Sequence, residues 1–402
     1  MNRVAITGIG VVSPVGSDLE AFWDALVEGR SGIGPLTSIP TERLNIRIAA
    51  EVKNHVPEQH FEIRDVPRLD RFAQFAVIAA RHAVADAGLV FGEELAQATA
   101  TIVGTGVGGQ HTLDDAYYRL YGQNAAKLHP FTIPRLMVNA GASQISMDLG
   151  LRGPTFAVAS ACASGTHAIG LAFDMIRCGR AAVALAGGAE ACLTVGTLKG
   201  WEALRALSAD TCRPFSRTRS GLVLGEGAAI LVLEPLDRAI ARDARIYAEL
   251  RGFGMSADAA DIIVPNAKGS ARAIRAALDD ARIAGDSIDY INAHGTGTML
   301  NDATETQAIR AVFGAHADRL AVSSSKAVLG HGLGAAGALE AAATALAIHR
   351  RVLPPTANFE EPDSACDLDV IPNIARDQRV RCAISNSFAF GGLNAVLVLG
   401  EL

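Results

Sequence analysis

Aromatic side chains are scarce in this chain: 5% of 402 residues, with only two tryptophans, although half of the sequence is hydrophobic. A core of that composition has to be filled by alanine and aliphatic side chains, and it is large enough for one big domain or two ordinary ones. Cysteine is sparse as well. The six, at 162, 178, 192, 212, 366 and 382, include no CxxC pair, which argues against a zinc site and a disulfide framework and fits a reducing cytoplasm. No sign of charge dominates: a net value of −6 gives no reason to expect nucleic acid or an anionic membrane as a partner. The longest apolar helical stretch, about 333–348, carries Glu340 in its middle and is too short to cross a bilayer. The N-terminus, Met1-Asn-Arg-Val-Ala-Ile-Thr-Gly8, reaches glycine too soon for a signal-peptide core. No low-complexity linker interrupts the chain, so any two domains are expected to be intimately packed.

What is present is alternation. Val4–Thr7 reads as a short buried strand ending in a Gly8-Ile-Gly10 turn, Leu19–Val27 and Ala140–Leu149 as helices, and Arg71–Gly88 as an amphipathic helix closed by its glycine. Thr101–Gly109 reads as a strand running into glycines, and Ala182–Gly187 and Ala228–Leu233 read as apolar strands. Residues 29–67 read as a surface wrap, and Tyr117–Arg135 as an irregular polar insertion suited to a lid or a dimer-facing role. The second half echoes the first. Phe156–Ser160, then Cys162 and a Gly/Ala-rich helix, resembles Leu320–Ser324, then Lys326 and the helix after Gly334; the strand pair around Leu224–Leu233 resembles Cys382–Leu399. The pattern predicts an α/β protein with sheets covered on both faces, in two halves, 1–240 and 241–402.

The stretch Val158-Ala-Ser-Ala-Cys162-Ala-Ser-Gly-Thr-His167 places a cysteine where an apolar strand gives way to an apolar helix through a turn of small residues. A helix N-terminus favours negative charge, so a lowered thiol pKa and a nucleophile are expected there. A plain buried core cysteine is the common alternative, and the other motifs weigh against it. Asn292-Ala-His294-Gly-Thr296-Gly-Thr298 ends a strand at the carboxyl edge, where α/β proteins place their sites. Lys326 and His331 lie in a similar strand–loop–helix setting, and Ser385-Asn-Ser-Phe388-Ala-Phe390-Gly-Gly is a glycine loop whose N–H groups suit an oxyanion hole. Gly104-Thr-Gly106-Val-Gly108-Gly109 matches a dinucleotide pattern but lacks the acidic residue about 20 positions on, so its glycines are expected to serve close backbone packing. Asp302 and Glu305 could join the two histidines around a metal, but no compact HxxxH or HxH spacing supports this and no metal is expected.

The Ala-Cys162-Ala-Ser-Gly block, Asn292-Ala-His294-Gly-Thr-Gly-Thr, Lys326 with Gly330-His331, Gly225-Glu-Gly227 and Asn386-Ser-Phe-Ala-Phe390-Gly-Gly together resemble the elongating β-ketoacyl-acyl-carrier-protein synthases, types I and II, over essentially the whole chain. Trp201-Glu-Ala-Leu-Arg-Ala-Leu207, Arg213-Pro-Phe-Ser216 and Asp367-Leu-Asp-Val370 carry a nearer likeness to rhizobial nodulation ketosynthases. The second cysteine of thiolases is missing at Phe390-Gly-Gly-Leu393, and His331 stands where initiating synthases have asparagine. The resemblance implies the thiolase fold, two similar α/β halves in five αβαβα layers. It implies that Cys162 takes an acyl chain from acyl carrier protein, with the N–H groups of Cys162 and Phe390 as oxyanion hole. His294 and His331 would act on malonyl-acyl carrier protein, Lys326 with Glu340 would orient them, and Thr296 and Thr298 would bind pantetheine. No cofactor is implied. The expected assembly is a homodimer or a heterodimer with a chain-length-factor subunit, with Arg68, Arg71 and Arg205 as candidates for docking the acidic carrier.

Departures from the family pattern bear on the acyl chain rather than the chemistry. Ala389 replaces glycine between the gate aromatics Phe388 and Phe390, Leu222 stands where phenylalanine is common, and Trp201 exceeds the usual phenylalanine. Val107 matches a position that limits acyl depth at the dimer interface, and Asp261-Ile-Ile263 replaces a His-x-Thr at the channel mouth.

Overall fold

Small side chains let strands and helices approach closely, and the architecture uses this throughout. The computed structural model describes residues 1–402. Its main sheet has ten strands: β1 (Val4–Val12), β2 (Thr99–Gly104), β3 (Thr155–Val158), β4 (Val183–Glu190), β5 (Gly227–Pro235), β6 (Ala248–Ala257), β7 (Tyr290–Asn292), β8 (Ala321–Ser323), β9 (Cys382–Ala389) and β10 (Leu393–Gly400). Their spatial order is β8-β7-β9-β10-β6-β1-β5-β4-β2-β3. Read from either edge inward, each half therefore runs third, second, fourth, fifth, first. The pairing senses repeat too. The second strand of each half lies parallel to the third and fourth, and the fifth lies antiparallel to the fourth and first. The fold is a duplication. The halves join where β1 pairs antiparallel with β6, from Val4 opposite Leu250 to Ile6 opposite Ala248.

Helices complete five layers. Helix α1 (Arg71–Asp86) covers β1, β4 and β5 on one outer face; α4 (Ala267–Ala281) covers β6 and β10 on the other and packs on α5 (Met299–Phe313). Helices α2 (Ser164–Arg177) and α6 (Ala336–Arg350) pack on each other and on strands of both halves, forming the central layer. Their burial explains the composition: α6 is enclosed all round, from Ala336 to Ile348, which an alanine-rich sequence permits. No helix is long and apolar enough to cross a membrane.

Two sequence expectations need correction. The Gly8-Ile-Gly10 segment is not a turn; β1 runs through it to Val12, with a register shift between Ile6 and Gly8. The glycines are there for α1, because a Cβ on Gly10 would lie 1.9 Å from the carbonyl oxygen of Ala79. The segment 224–233 also contributes one strand, β5, rather than a pair. Its partner β4 lies before a 36-residue excursion, 191–226, that holds α3 (Val195–Ala203), whereas β9 and β10 are joined by a tight turn.

Candidate active site

The repeated topology places the two motif-bearing segments in matching positions. After β3, the chain turns through Ala161, held at φ +50°, into the short Ala161–Ala163 turn that presents Cys162, and α2 follows. After β8, the counterpart, come Lys326 and His331, a turn at Leu333–Ala335 opened by Leu333 at φ +43°, and then α6. Non-glycine residues in the left-handed region are strained and persist only where surrounding structure imposes them. The two turns touch. Nε2 of His331 lies 3.1 Å from Sγ of Cys162 as a result.

His294 arrives from the end of β7. Its backbone N–H and that of Gly295 both donate to the carboxylate of Glu305, each at 2.8 Å, and Nδ2 of Asn386 donates to the same group. Asp302 accepts from the N–H groups of Phe215 and Gly297. The carboxylates considered as metal ligands thus shape the His294 loop. The His294 and His331 rings meet edge to face with centroids 5.4 Å apart. Lys326 Nζ sits 3.3 Å from Nδ1 of His294 and forms a fully buried ion pair with Glu340. With the lysine donating to Nδ1, the imidazole proton of His294 stands on Nε2.

The electrostatics correct a third expectation. The Cys162 thiol is not held low by the helix; burial pushes it up to about 12, outweighing the Lys326 charge and a hydrogen bond from the Phe390 N–H. Burial and the Lys326 charge hold both histidines well below their ordinary value. Burial pushes Glu340 up to about 7 against the pull of Lys326. The resting centre therefore holds a neutral thiol facing neutral imidazoles.

These groups line the inner end of a cavity of about 270 Å³ that opens to the surface. Cys162, His294, His331, Thr296, Thr298, Trp201, Leu222, Phe388 and Phe390 all border it. Lys326 and Glu340 stand behind His294. Val107 is not brought into the cavity: it projects from the turn after β2 and is 42% exposed. Phe388 belongs to β9 itself, while Phe390 lies in the following turn and stacks on Trp201 at 5.5 Å between centroids. The hydroxyls of Thr296 and Thr298 share a hydrogen bond of 2.9 Å. Of the arginines, Arg205 borders the cavity and Arg68 is exposed, but Arg71 is committed inward to a bidentate pair with Glu226. Sequence reasoning missed Glu190 and the bracing role of Glu305. Their signal was an acid closing an otherwise apolar strand, and an acid eleven residues after His294.

Fold and site together define a condensing enzyme built on the thiolase fold. Family models for the β-ketoacyl synthase N-terminal domain and C-terminal domain match residues 1–239 and 247–360. The chain belongs to the β-ketoacyl synthase family. It is 48% identical to Nodulation protein E of Rhizobium sp. (strain N33) over 400 residues, covering 100% of this chain and 99% of that one. It is 43% identical to 3-oxoacyl-[acyl-carrier-protein] synthase 2 of Staphylococcus aureus (strain COL), covering 98% and 97%. Among solved structures, the ishigamide ketosynthase/chain length factor superposes with a TM-score of 0.96 at 40% identity, covering 100% and 99%. A type II polyketide ketosynthase, solved with its acyl-carrier protein and bound to a hexaketide, gives 0.88 at 32% over the whole of both chains.

Proposed function

We propose that this protein catalyses decarboxylating Claisen condensation between an acyl chain carried on Cys162 and malonyl-acyl carrier protein, releasing CO2 and a 3-oxoacyl-acyl carrier protein two carbons longer. The observation that carries this reading is the convergence of one thiol, two neutral imidazoles and the Phe390 N–H at the inner end of a single cavity.

In the first step Sγ of Cys162 adds to the acyl thioester carbonyl while its proton passes to Nε2 of His331. The N–H groups of Cys162 and Phe390 hold the tetrahedral oxyanion, a contribution of about 3 kcal/mol per donor in other enzymes. Collapse breaks the C–S bond to pantetheine, whose sulfur takes that proton. The malonyl thioester then enters past Thr296 and Thr298. Its carboxylate leaves as CO2, and the bonding pair becomes an enolate whose oxygen accepts from Nε2–H of His294 and of His331. Nδ1 of His331 has no protein partner, so no neighbouring group pins its tautomer between the two steps. The enolate carbon attacks the acyl carbonyl, the C–S bond to Cys162 breaks, and the freed sulfur takes a proton drawn from solvent.

A second reading, a ketosynthase subunit working beside a chain-length factor in polyketide or polyene synthesis, is favoured by the 0.96 superposition on the ketosynthase/chain length factor structure. Either assembly uses the β3 edge. At the other edge Val322 of β8 donates to the Asp369 carbonyl, but β3 ends the sheet with no strand beyond it and with its Phe156 exposed. Uncovered edges of this kind pair with another chain. We further place the division between halves near residue 240, in the segment between β5 and β6, and the enzyme in the cytoplasm.

Intact-protein mass spectrometry with a panel of acyl carrier proteins, saturated and conjugated, tests the reading. Wild type gains the acyl mass and Cys162→Ala does not; equal loading of both rejects it. Sedimentation of the purified chain separates an active homodimer from a subunit that loads only with a partner.

A further inference from the structure

Glu190 closes β4 at the centre of the molecule, fully buried, and forms no ion pair with any arginine, lysine or histidine. A buried carboxylate without a cation is costly unless hydrogen bonds satisfy it. Four donors do so. Oε2 accepts from the N–H groups of Gly106 at 2.6 Å and Gly334 at 2.9 Å. Oε1 accepts from the Thr105 hydroxyl at 2.9 Å and the Val107 N–H at 3.4 Å.

The donors come from both halves of the duplication. Gly334 lies in the Leu333–Ala335 turn, three residues beyond His331, and this turn touches the one that presents Cys162. Contact there is backbone on backbone: a Cβ on Gly334 would lie 2.3 Å from the nitrogen of Gly106. Thr105, Gly106 and Val107 form the turn that leaves β2, and the Val107 side chain is exposed, next to Gly108, which packs against Val138. One carboxylate thus staples a surface turn to the segment that carries His331. Burial pushes the Glu190 carboxyl up to about 7 against these four hydrogen bonds, and above that pH its negative charge acts on Cys162 and on the buried Cys192.

We propose that Glu190 is a positioning residue for the Cys162–His331 pair, holding the two turns in register and joining the reacting pair to the surface that carries Val107. This rests on the reading of Cys162 and His331 given above. Glu190→Gln is the discriminating variant. An amide accepts through one oxygen only and turns its NH2 against two of the four donors, and it removes a negative charge from beside the thiol. Two rates are measured on the full-length enzyme: acylation of Cys162 by octanoyl-acyl carrier protein, and alkylation of Cys162 by iodoacetamide against pH, followed by peptide mass spectrometry.

The expected result is acylation slowed at least tenfold in kcat, with KM changed less than twofold, while the alkylation midpoint moves to lower pH. A thiol that ionises more easily yet transfers acyl groups more slowly marks lost positioning. Wild-type acylation, or slower acylation with the alkylation midpoint unmoved or raised, overturns the proposal. Should Glu190→Gln not fold, Thr105→Val removes one donor of the four. It is expected to fold, with a lowered melting temperature, and to slow acylation two- to fivefold at temperatures where it is fully folded; a wild-type rate overturns the proposal. Acyl loading of Cys162→Ala would instead show that the reading of the nucleophile is wrong, whatever the Glu190 variants do.

Discussion

Nε2 of His331 stands 3.1 Å from Sγ of Cys162, with the two residues only 2% and 5% exposed. Because burial holds His331 well below its ordinary value, it stays unprotonated and able to accept the thiol proton as pH falls through 6.5. Single-turnover acylation is therefore expected to be flat from pH 8 to below 6.5, where an exposed imidazole base would lose half its activity. A midpoint near 6.5 would show the site to be wetter than this.

The same shifts link to stability. His294 and His331 are neutral when folded but titrate near 6.5 when unfolded. The unfolded chain thus binds more protons below 6.5, and the stability that these neutral rings contribute is present above that pH and lost as pH falls. The melting temperature is expected to drop between pH 6.5 and 5, less steeply when both are replaced by asparagine. Thermal unfolding of wild type and the double variant across that range measures this.

Lys326 and Glu340 form a buried ion pair. Lys326→Ala leaves a buried carboxylate unpaired and is expected to cost about 3–5 kcal/mol. Lys326→Met combined with Glu340→Leu restores most of that stability without restoring condensation, since His294 Nδ1 still lacks its donor. Urea unfolding and condensation rate, measured on both variants, separate the two roles.

The Thr298 side chain accepts from the Asn301 N–H and caps α5, whereas Thr296 caps nothing. Thr298→Val is expected to lose about 1 kcal/mol of stability as well as substrate affinity. Thr296→Val is expected to raise KM for malonyl-acyl carrier protein while leaving stability unchanged. Steady-state kinetics beside thermal melts distinguish them.

Trp201 stacks on Phe390, an interaction worth about 0.5–1.5 kcal/mol beyond area burial. Trp201→Ala is expected to loosen the turn that carries the Phe390 N–H and to speed hydrolysis of acylated Cys162 about two- to tenfold, the range those energies convert to. The decay of the acyl-enzyme mass over time measures it.

The sequence by itself determined the α/β class, the duplication and the segments that meet at the site, because these are written locally. Strand–turn–helix punctuation surrounds Cys162, His294 and Lys326, and Ala140–Leu149 is helical over the very residues its periodicity predicted. Glycines were harder to read. In Gly8 and Gly10 the local signal for a turn gave way to a helix across the interface that needs the missing Cβ. Charge was harder still. A helix N-terminus should favour the Cys162 thiolate, but the cost of burying a charge is larger than the benefit of the helix end, and burial exists only after both halves have closed. The four donors around Glu190, the Asn386 amide on Glu305 and the Phe215 N–H on Asp302 come from distant parts of the chain, so no spacing announces them. Val107 was expected beside the acyl chain, and the fold leaves it exposed outside the cavity. Local pattern thus decides which groups are present, and tertiary packing decides their protonation, orientation and reach, because desolvation and long-range hydrogen bonds have no counterpart in linear order.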